Sequence, residues 1–239
     1  MRVGLFDSGM GGVTVLKKLM LKYPNNEYIY YGDNLNVPYG NKSVEELLKL
    51  ANDNVNFLLS HNVDMIIVAC GTISSNCFNQ LVNKYDVPIY DIISPTIDYL
   101  NNSNYKNILV IGTKRTIDSH IFKDRLSKNV IEVETPELAT LIEENNFDNM
   151  HQILHRYLDD YRDKIDALVL GCTHYPLITS YISDVLPNVS VIDMADNVSI
   201  YDGHFGGVEI YFSKVDEKVI KNVKRILNND TVLIHNVLE

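Results

Sequence analysis

Two cysteines occupy the same local setting in different parts of the chain. Cys70 follows the apolar run 65–69 and Cys172 follows the apolar run 167–170, and a turn comes after each. Ligands of open parallel sheets bind beyond the carboxyl ends of the strands, where both thiols would lie. A thiol that is partly ionised near neutral pH can act as a base or as an acid. Two thiols on opposite sides of one carbon centre could therefore invert that centre.

Each thiol needs a partner for its proton, and the sequence offers two. Asp7 ends the first apolar run, and His174, an imidazole that exchanges protons near neutral pH, lies two residues after Cys172. Three alternatives stay open. Both cysteines could be small core residues, they could form a redox pair without a Cys-x-x-Cys motif, or one alone could be the nucleophile of a hydrolase. The third cysteine, Cys77, is interpreted as structural.

Several segments near these strand ends could hold a ligand. Segment 7–12, with the sequence DSGMGG, joins a strand to a helix, and its glycines let the backbone approach a carboxylate or a phosphate. It matches neither of the common glycine-rich nucleotide motifs, and a plain tight turn is the alternative. The loop 37–40 could present backbone amides in the same way. Thr72, Thr113 and Thr173 follow strand ends, where their hydroxyl groups could donate hydrogen bonds.

Short apolar runs that alternate with amphipathic stretches predict the elements that position these residues. The apolar runs predict strands over 3–6, 28–31, 65–69, 89–92, 107–111, 130–133, 167–170 and 189–192. The amphipathic stretches predict helices over 12–23, 43–61, 74–85, 117–127, 147–161, 177–186 and 215–227. This alternation is typical of α/β proteins with parallel sheets. The chain length favours two sheets of about four strands each, and the similar strand ends near Asp7 and Gly112, and near Cys70 and Cys172, indicate two similar halves.

The composition narrows the functional classes. The chain has 239 residues and a formal net charge of −10, so we expect no binding to nucleic acid, which needs clustered Lys and Arg. The apolar runs are far shorter than a membrane span of about 18 residues, and the N-terminal stretch does not resemble a secretory signal. Three cysteines indicate a reducing cytoplasm rather than a disulfide framework. We expect no metal, because His151 and His155 flank Gln152 rather than the Glu of a zinc protease.

Several segments together resemble the aspartate/glutamate racemase family. They are 3–12 (VGLFDSGMGG), 31–33 (YGD), 37–40 (VPYG), 68–72 (VACGT) and 170–177 (LGCTHYPL). The stretch 206–227 is similar to the C-terminal end of the family, so the resemblance spans nearly the whole chain. The combination of Phe-Asp-Ser-Gly with Gly-Cys-Thr-His-Tyr-Pro is specific, whereas either segment alone is a weaker signal.

The resemblance implies an α/β fold of two similar domains, each a small, mostly parallel sheet flanked by helices, with the active site in the cleft between them. The first domain would comprise residues 1–96 and 197–239, because the last segment of the family returns to it, and the second would comprise 97–196. The implied activity is the racemisation of L-glutamate to D-glutamate without a cofactor. Its product, D-glutamate, would be used for peptidoglycan. The expected partner is this small amino acid, and a symmetric homodimer is a common state for such enzymes.

The same resemblance assigns roles to individual residues. Cys70 and Cys172 would be the two acid/base residues, with Asp7 assisting the first and His174 the second. Glu143 aligns with an acidic position at the edge of the family's site. We therefore expect the amino acid to be held by Asp7, Ser8, Pro38, Tyr39, Gly40, Gly71, Thr72, Thr113, Glu143, Thr173 and His174.

One position departs from the family. An Asn usually follows the first catalytic cysteine, and this chain has Gly71 there. One lost hydrogen bond to a charged group is worth about 1.5–3 kcal/mol, enough to weaken the activity or to change the substrate. Two alternatives stay open: a racemase of aspartate or of another amino acid, and a binding protein without catalysis. His174 argues against aspartate, because the aspartate racemases of the family usually carry Glu at that place.

Overall fold

Two parallel sheets form the framework of the chain. The computed structural model describes residues 1–204 and 206–237. The strands in these residues are Arg2–Asp7 (β1), Glu27–Gly32 (β2), Met65–Val68 (β3), Ile89–Asp91 (β4), Asn107–Gly112 (β5), Asn129–Glu134 (β6), Ala167–Leu170 (β7), Ser190–Asp193 (β8), Gly207–Phe212 (β9) and Ile234–Asn236 (β10). The first sheet has the order β10-β9-β2-β1-β3-β4 and the second the order β6-β5-β7-β8. Strands β1–β4 are thus arranged as β5–β8 are, which agrees with two similar halves.

Helices connect the parallel strands, since a parallel pair needs a crossover. The α-helices in the described residues are Val13–Lys22 (α1), Val44–Ser60 (α2), Gly71–Asn76 (α3), Phe78–Val82 (α4), Ile93–Asn102 (α5), Lys114–Asp118 (α6), Ile121–Arg125 (α7), Leu138–Glu143 (α8), Met150–Leu158 (α9), Thr179–Val185 (α10) and Glu217–Leu227 (α11). Short 3-10 turns cover Asn34–Asn36, Tyr39–Asn41, Asp159–Tyr161, Tyr175–Ile178 and Met194–Asn197. None of the helices in this part of the chain has the length and apolar character needed to cross a bilayer.

The two sheets share one apolar core. Because successive strand residues point to opposite faces, Leu5 of β1 and Ile67 of β3 lie on one face of the first sheet. They belong to the same buried cluster as Val110 of β5 and Val169 of β7, and Ile97 of α5 packs among them. The opposite face of the first sheet packs on α2–α4, and that of the second packs on α8–α10. The shared core therefore fixes how the strand ends of one sheet face those of the other.

The C-terminal part adds two strands that the sequence patterns did not predict. β9 pairs with β2 and β10 pairs with β9, so the first sheet has six strands in the described residues rather than about four. Glu209 and Tyr211 interrupt the apolar pattern of β9, because this strand lies near the edge of the sheet. The helix predicted over 215–227 is confirmed as α11.

Several predicted helices are shorter than expected, or divided. The helix predicted over 74–85 begins at Gly71 and is divided at Cys77, and the one predicted over 117–127 is divided where His120 takes a left-handed conformation. Helices α5 and α8 were not predicted. Helix α8 begins without a side-chain hydrogen bond at its N-cap. At the start of α5, the Asp91 carboxylate accepts from the N–H groups of Ile93 and Ser94 over 2.6 Å each.

The burial of β9 in the core predicts how much truncating Phe212 lowers the free energy of unfolding. This ring is fully buried in the shared core, 5.8 Å from the ring of Tyr30. Phe212→Ala should lower the free energy of unfolding by about 3–5 kcal/mol, because it removes a large buried side chain and leaves a cavity. Urea denaturation measures the change. Tyr201→Ala, at a side chain that is 88% exposed, is the control and should change stability by less than about 0.5 kcal/mol. Equal effects of the two substitutions would contradict the assignment of β9 to the core.

Candidate active site

The carboxyl ends of the central strands surround one cavity. It has a volume of about 90 Å³, and its walls come from both sheets. The structure brings every residue of the expected site to this cavity: Asp7, Ser8, Pro38, Tyr39, Gly40, Cys70, Gly71, Thr72, Thr113, Glu143, Cys172, Thr173 and His174. The sequence reasoning missed other lining residues, among them Lys114 and Gly171. Both adjoin a predicted site residue at a strand end, and that position was the signal that could have found them.

Cys70 and Asp7 are both buried at the ends of neighbouring strands. Cys70 is the N-cap residue of α3, two residues after the end of β3, and Asp7 is the last residue of the neighbouring strand β1. Burial raises the pKa of the Cys70 thiol well above its usual range, and the charge of Asp7 raises it further. Burial also raises the pKa of Asp7, although the charge of His174 opposes this effect. Both shifts favour the protonated forms, so a proton can be shared between the carboxyl group and the thiol.

Hydrogen bonds hold Asp7 from both sheets. The backbone N–H of Gly12 donates to Asp7 Oδ2 over 2.6 Å, and the hydroxyl of Thr173 donates to the same oxygen over 3.2 Å. The hydroxyl of Thr14 donates in turn to the carbonyl of Thr173 over 2.9 Å. The glycine-rich start of α1 was expected to bind a ligand anion. Its Gly12 N–H instead donates to Asp7. The main effect of these bonds is to fix the carboxyl group beside Cys70.

Cys172 belongs to a second set of proton carriers. Its sulfur lies 3.5 Å from Nδ1 of His174, and Nε2 of the same ring lies 3.1 Å from Oε1 of Glu143. Burial alone would lower the pKa of His174, but the hydrogen bonds to Cys172 and Glu143 raise it well above its usual range. Burial alone would raise the pKa of Glu143, but the hydrogen bond to His174 lowers it. The row of thiol, imidazole and carboxylate can move a proton to or from Cys172.

Glu143 ends α8, beside the second sheet. It is held by α11 and by the loop after β1, which pack with the first sheet. The amide of Asn222 in α11 donates to the Glu143 carbonyl over 3.1 Å, and the backbone N–H of Met10 lies 3.5 Å from Oε1. The charge of Lys218, also in α11, helps to lower the pKa of Glu143. The C-terminal helix therefore contributes to the position of the His174 partner, a role that no local sequence motif signals.

Threonine hydroxyl groups from both halves of the chain also line the cavity. The hydroxyls of Thr72 and Thr113 lie 3.0 Å apart, one from each half of the chain. Thr113 also begins α6, where its oxygen accepts from the Thr116 N–H over 3.3 Å. Lys114, the next residue, also lines the cavity, and its ammonium group pairs with Asp118 over 3.0 Å. The threonine hydroxyls offer hydrogen-bond donors to a carboxylate.

The loop 37–40 reaches the cavity through a buried polar support. The hydroxyl of Tyr39 donates to Asp33 Oδ2 over 2.6 Å, and the amide of Asn54 donates to the Tyr39 hydroxyl over 3.2 Å. Tyr39 is only 2% exposed, so its hydroxyl is committed to this network. What the loop offers to a ligand is therefore its backbone at Tyr39 and Gly40.

The space that a side chain would take at Gly71, the residue after Cys70, is already filled. A Cβ atom added at Gly71 would come well within 3.0 Å of the carbonyl oxygen of Gly171. The two loops that carry Cys70 and Cys172 therefore touch at these glycines. Gly71 brings no hydrogen-bonding side chain to the cavity that it lines.

Across residues 1–204 and 206–237, no group of three or more His, Cys, Asp or Glu side chains is arranged to hold a metal ion. His151 pairs with Asp184 and His155 pairs with Asp159 on the surface. The acid/base groups of the cavity are engaged with one another instead. The chemistry that this arrangement supports is proton transfer to and from a small ligand in the cavity.

The ion pair inside the site predicts how His174 titrates. Glu143→Gln removes the carboxylate that faces Nε2, so the pKa of His174 should fall towards the ordinary range of an imidazole. NMR of ring-labelled histidine during a pH titration measures this change. Asp184→Asn, which removes the exposed partner of His151, is the matched control and should leave the titration of His174 unchanged. An unaltered His174 titration in Glu143→Gln would show that the ion pair does not set its protonation.

Known proteins share both the sequence pattern and the fold. Residues 23–197 match the model of a family described as Asp/Glu/hydantoin racemase. A glutamate racemase from Fusobacterium nucleatum is 42% identical over 203 residues, which are 81% of this chain and 76% of that protein. The solved structure of a glutamate racemase isoform from Bacillus anthracis is similar with a TM-score of 0.92 at 27% identity, covering 99% of this chain and 97% of that one. A glutamate racemase from Francisella tularensis, solved in complex with D-glutamate, is similar with a TM-score of 0.85 at 28% identity and the same coverage. This chain therefore belongs to the Asp/Glu/hydantoin racemase family.

Proposed function

We propose that this protein interconverts L- and D-glutamate by a two-thiol mechanism that uses no cofactor. The observation that carries the proposal is that Cys70 and Cys172, from different sheets, line one small cavity and that each has its own proton partner. The relatives named glutamate racemase support glutamate as the substrate, and so does the similar structure that holds D-glutamate.

In the proposed reaction, the α-carbon of the substrate lies between the two sulfurs. One thiolate takes the α-proton, and the electron pair of the broken C–H bond passes into the α-carbon and its carboxylate. The other thiol gives its proton to the opposite face, which forms the new C–H bond and inverts the centre. The first sulfur ends as a thiol and the second as a thiolate, so both must exchange protons before the next turnover.

The neighbours of the thiols suit this exchange in different ways. Because burial raises the pKa of Asp7, its carboxylate can accept the proton of Cys70 and return it. His174 has a raised pKa and lies between Cys172 and Glu143, so the ring can carry a proton to or from the second sulfur. Each direction of the reaction would use one thiol as base and the other as acid.

Binding of glutamate would use the remaining walls of the cavity. Its carboxylates need donors, which the hydroxyls of Thr72 and Thr113 and the backbone near Tyr39 and Gly40 offer. Its ammonium group needs acceptors, and we assign these to Asp7 and the Ser8 hydroxyl beside it. Donors fixed before the reaction stabilise the negative charge that develops on the α-carboxylate. Holding the reacting atoms in line adds a large part of the rate enhancement.

The proposed site lies between two domains, residues 1–96 with 197–239, and residues 97–196. The pairing of β9 and β10 into the first sheet supports this division, and the connection between the domains runs through α5. We place the enzyme in the cytoplasm, where its three free cysteines would stay reduced, and assign its D-glutamate to peptidoglycan synthesis.

Replacing either thiol tests the mechanism. Cys70→Ser and Cys172→Ser should each lower the interconversion of D- and L-glutamate by about 10²–10⁴-fold, because each removes one partner in proton transfer. Chiral chromatography of both reaction directions gives the rates. Cys77→Ala is the matched control, since Cys77 is fully buried in the core against α2–α4 and does not line the cavity, and it should keep wild-type turnover. Wild-type turnover in both serine variants would refute the two-thiol mechanism.

A panel of amino acids tests the choice of substrate. Glutamate should be racemised faster than aspartate and other amino acids at equal concentration, as measured by chiral chromatography. Faster turnover of another amino acid would displace glutamate. Tight binding of an amino acid without exchange of its α-proton for deuterium would favour a binding protein without catalysis.

A further inference from the structure

One arginine in the second half of the chain is bonded to a segment of the first half. Arg115 lies in the first turn of α6, two residues after Thr113, and does not line the cavity. Its Nε donates to the carbonyl oxygen of Lys42 over 2.7 Å, in a partly buried contact. Lys42 ends the segment 37–42, which includes the cavity-lining loop 37–40. Arg115 therefore reaches this segment from the other half of the chain.

Contacts within the first half also hold the segment 37–42. The Tyr39 hydroxyl donates to Asp33, and Ser43 forms a capping box at the start of α2. Between these two anchors, the Lys42 N–H donates to the Tyr39 carbonyl over 3.1 Å and closes the 3-10 turn Tyr39–Asn41. Arg115 binds the carbonyl group of the same Lys42. The polar backbone groups of Lys42 are thus held from both halves of the chain.

The backbone of Arg115 is in turn fixed to α3. The amide of Asn76 donates to the Arg115 carbonyl over 3.2 Å and to the Thr72 carbonyl over 3.0 Å. The packing here is also close, because a Cβ atom at Gly40 would lie 3.0 Å from the Cβ of Thr113. The first turn of α6 therefore contacts both α3 and the segment 37–42. It is a fixed position from which the arginine side chain can hold the segment.

We propose that Arg115 is a positioning residue that holds the segment 37–42 in place, so that the backbone of Tyr39 and Gly40 faces the bound amino acid. The inference rests on the proposed racemase function and goes beyond it by naming a residue outside the cavity that sets the affinity for substrate. Arg115 acts through the Lys42 carbonyl and does not touch the reacting atoms. Without this bond, a smaller fraction of the protein has the segment in the binding position, and the apparent affinity falls with that fraction.

The proposed acid/base groups are held by other contacts. The Gly12 N–H donates to Asp7, and the amide of Asn222 donates to the carbonyl of Glu143. Loss of the Arg115 bond should therefore weaken substrate binding much more than it slows proton transfer. A purely structural role of Arg115 would instead reduce the amount of folded enzyme and leave its KM unchanged.

Two substitutions separate the hydrogen bond from the space that the side chain fills. In Arg115→Gln the amide nitrogen takes the place of Nε, so it can still donate to the Lys42 carbonyl. Arg115→Met has a methyl group at that place and cannot donate. Arg125→Met is the matched control, because Arg125 also bonds to the first half, at the Ser94 hydroxyl over 3.1 Å, but lines a separate cavity.

Steady-state kinetics with L- and D-glutamate measure the effect on binding. Arg115→Met should raise the KM of both enantiomers at least about tenfold, the size expected for the loss of one hydrogen bond from a charged group. Its kcat should stay within about threefold of wild type, because only binding is weakened. Arg115→Gln and Arg125→Met should both keep the KM within about threefold of wild type.

Hydrogen–deuterium exchange of the ligand-free protein measures the segment itself. In Arg115→Met, the N–H groups of residues 40–42 should exchange faster than in wild type, because the segment opens more often. In Arg115→Gln and Arg125→Met, their exchange should stay as slow as in wild type. This measurement does not depend on activity, so it tests the role of Arg115 separately from the proposed function.

Several results would overturn the inference. A folded Arg115→Met protein with the wild-type KM would do so, and so would a lower kcat at unchanged KM, which places the effect on proton transfer. A KM raised about tenfold in Arg115→Gln would contradict the role of the Nε donor, and this variant decides even if Arg115→Met does not fold. Unchanged exchange of residues 40–42 in Arg115→Met would also overturn the inference. If that exchange is faster but the wild type racemises no amino acid, the proposed function fails and the role of Arg115 in holding the segment stands.

Discussion

The packing of two parallel sheets on one shared core is the constraint on which the site depends. Leu5 and Ile67 of the first sheet belong to the same buried cluster as Val110 and Val169 of the second. The packing of protein interiors is close to that of organic crystals, so such a cluster leaves little freedom for one sheet to move past the other. The sheets meet with the ends of their central strands around one cavity. The positions of Cys70 and Cys172 are therefore consequences of the core.

The polar groups at these strand ends are costly to bury and are held by one another. Asp7 and His174 are almost inaccessible to solvent, and a buried charge is tolerated only when it is paired or hydrogen-bonded. Gly12 and Thr173 satisfy Asp7, while Cys172 and Glu143 satisfy His174. The same contacts that make these groups tolerable also fix their orientation. Stability and the arrangement for proton transfer thus have a common origin.

The sequence was sufficient for the parts of the structure that local patterns determine. Strands β1–β8 were predicted from their apolar runs. The rule that ligands bind beyond the carboxyl ends of parallel strands places Cys70 and Cys172 each at the ligand-binding edge of its own sheet. Pairing between distant segments has no such local signal. The Tyr30–Ile210 register of β2 with β9 is of this kind.

Close approaches of the backbone are the second class of feature that the sequence did not predict. The glycine after Cys70 was visible as an unusual residue, but its contact with the Gly171 carbonyl depends on how the sheets pack. The hydrogen bond from Asn222 in α11 to the end of α8 has the same origin. Both features are set by tertiary packing, which residue types and their spacing do not determine.

The two halves of the site also influence each other through charge. A charge on Cys172 raises the pKa of Cys70 further, and the charge of His174 opposes the rise in the pKa of Asp7. Because like charges at close range disfavour joint ionisation, the site is less stable with two thiolates than with one thiolate and one thiol. A reaction that takes a proton from one face of a carbon and returns another to the opposite face needs this mixed state. The proximity that the shared core imposes therefore disfavours the state in which both sulfurs are ionised.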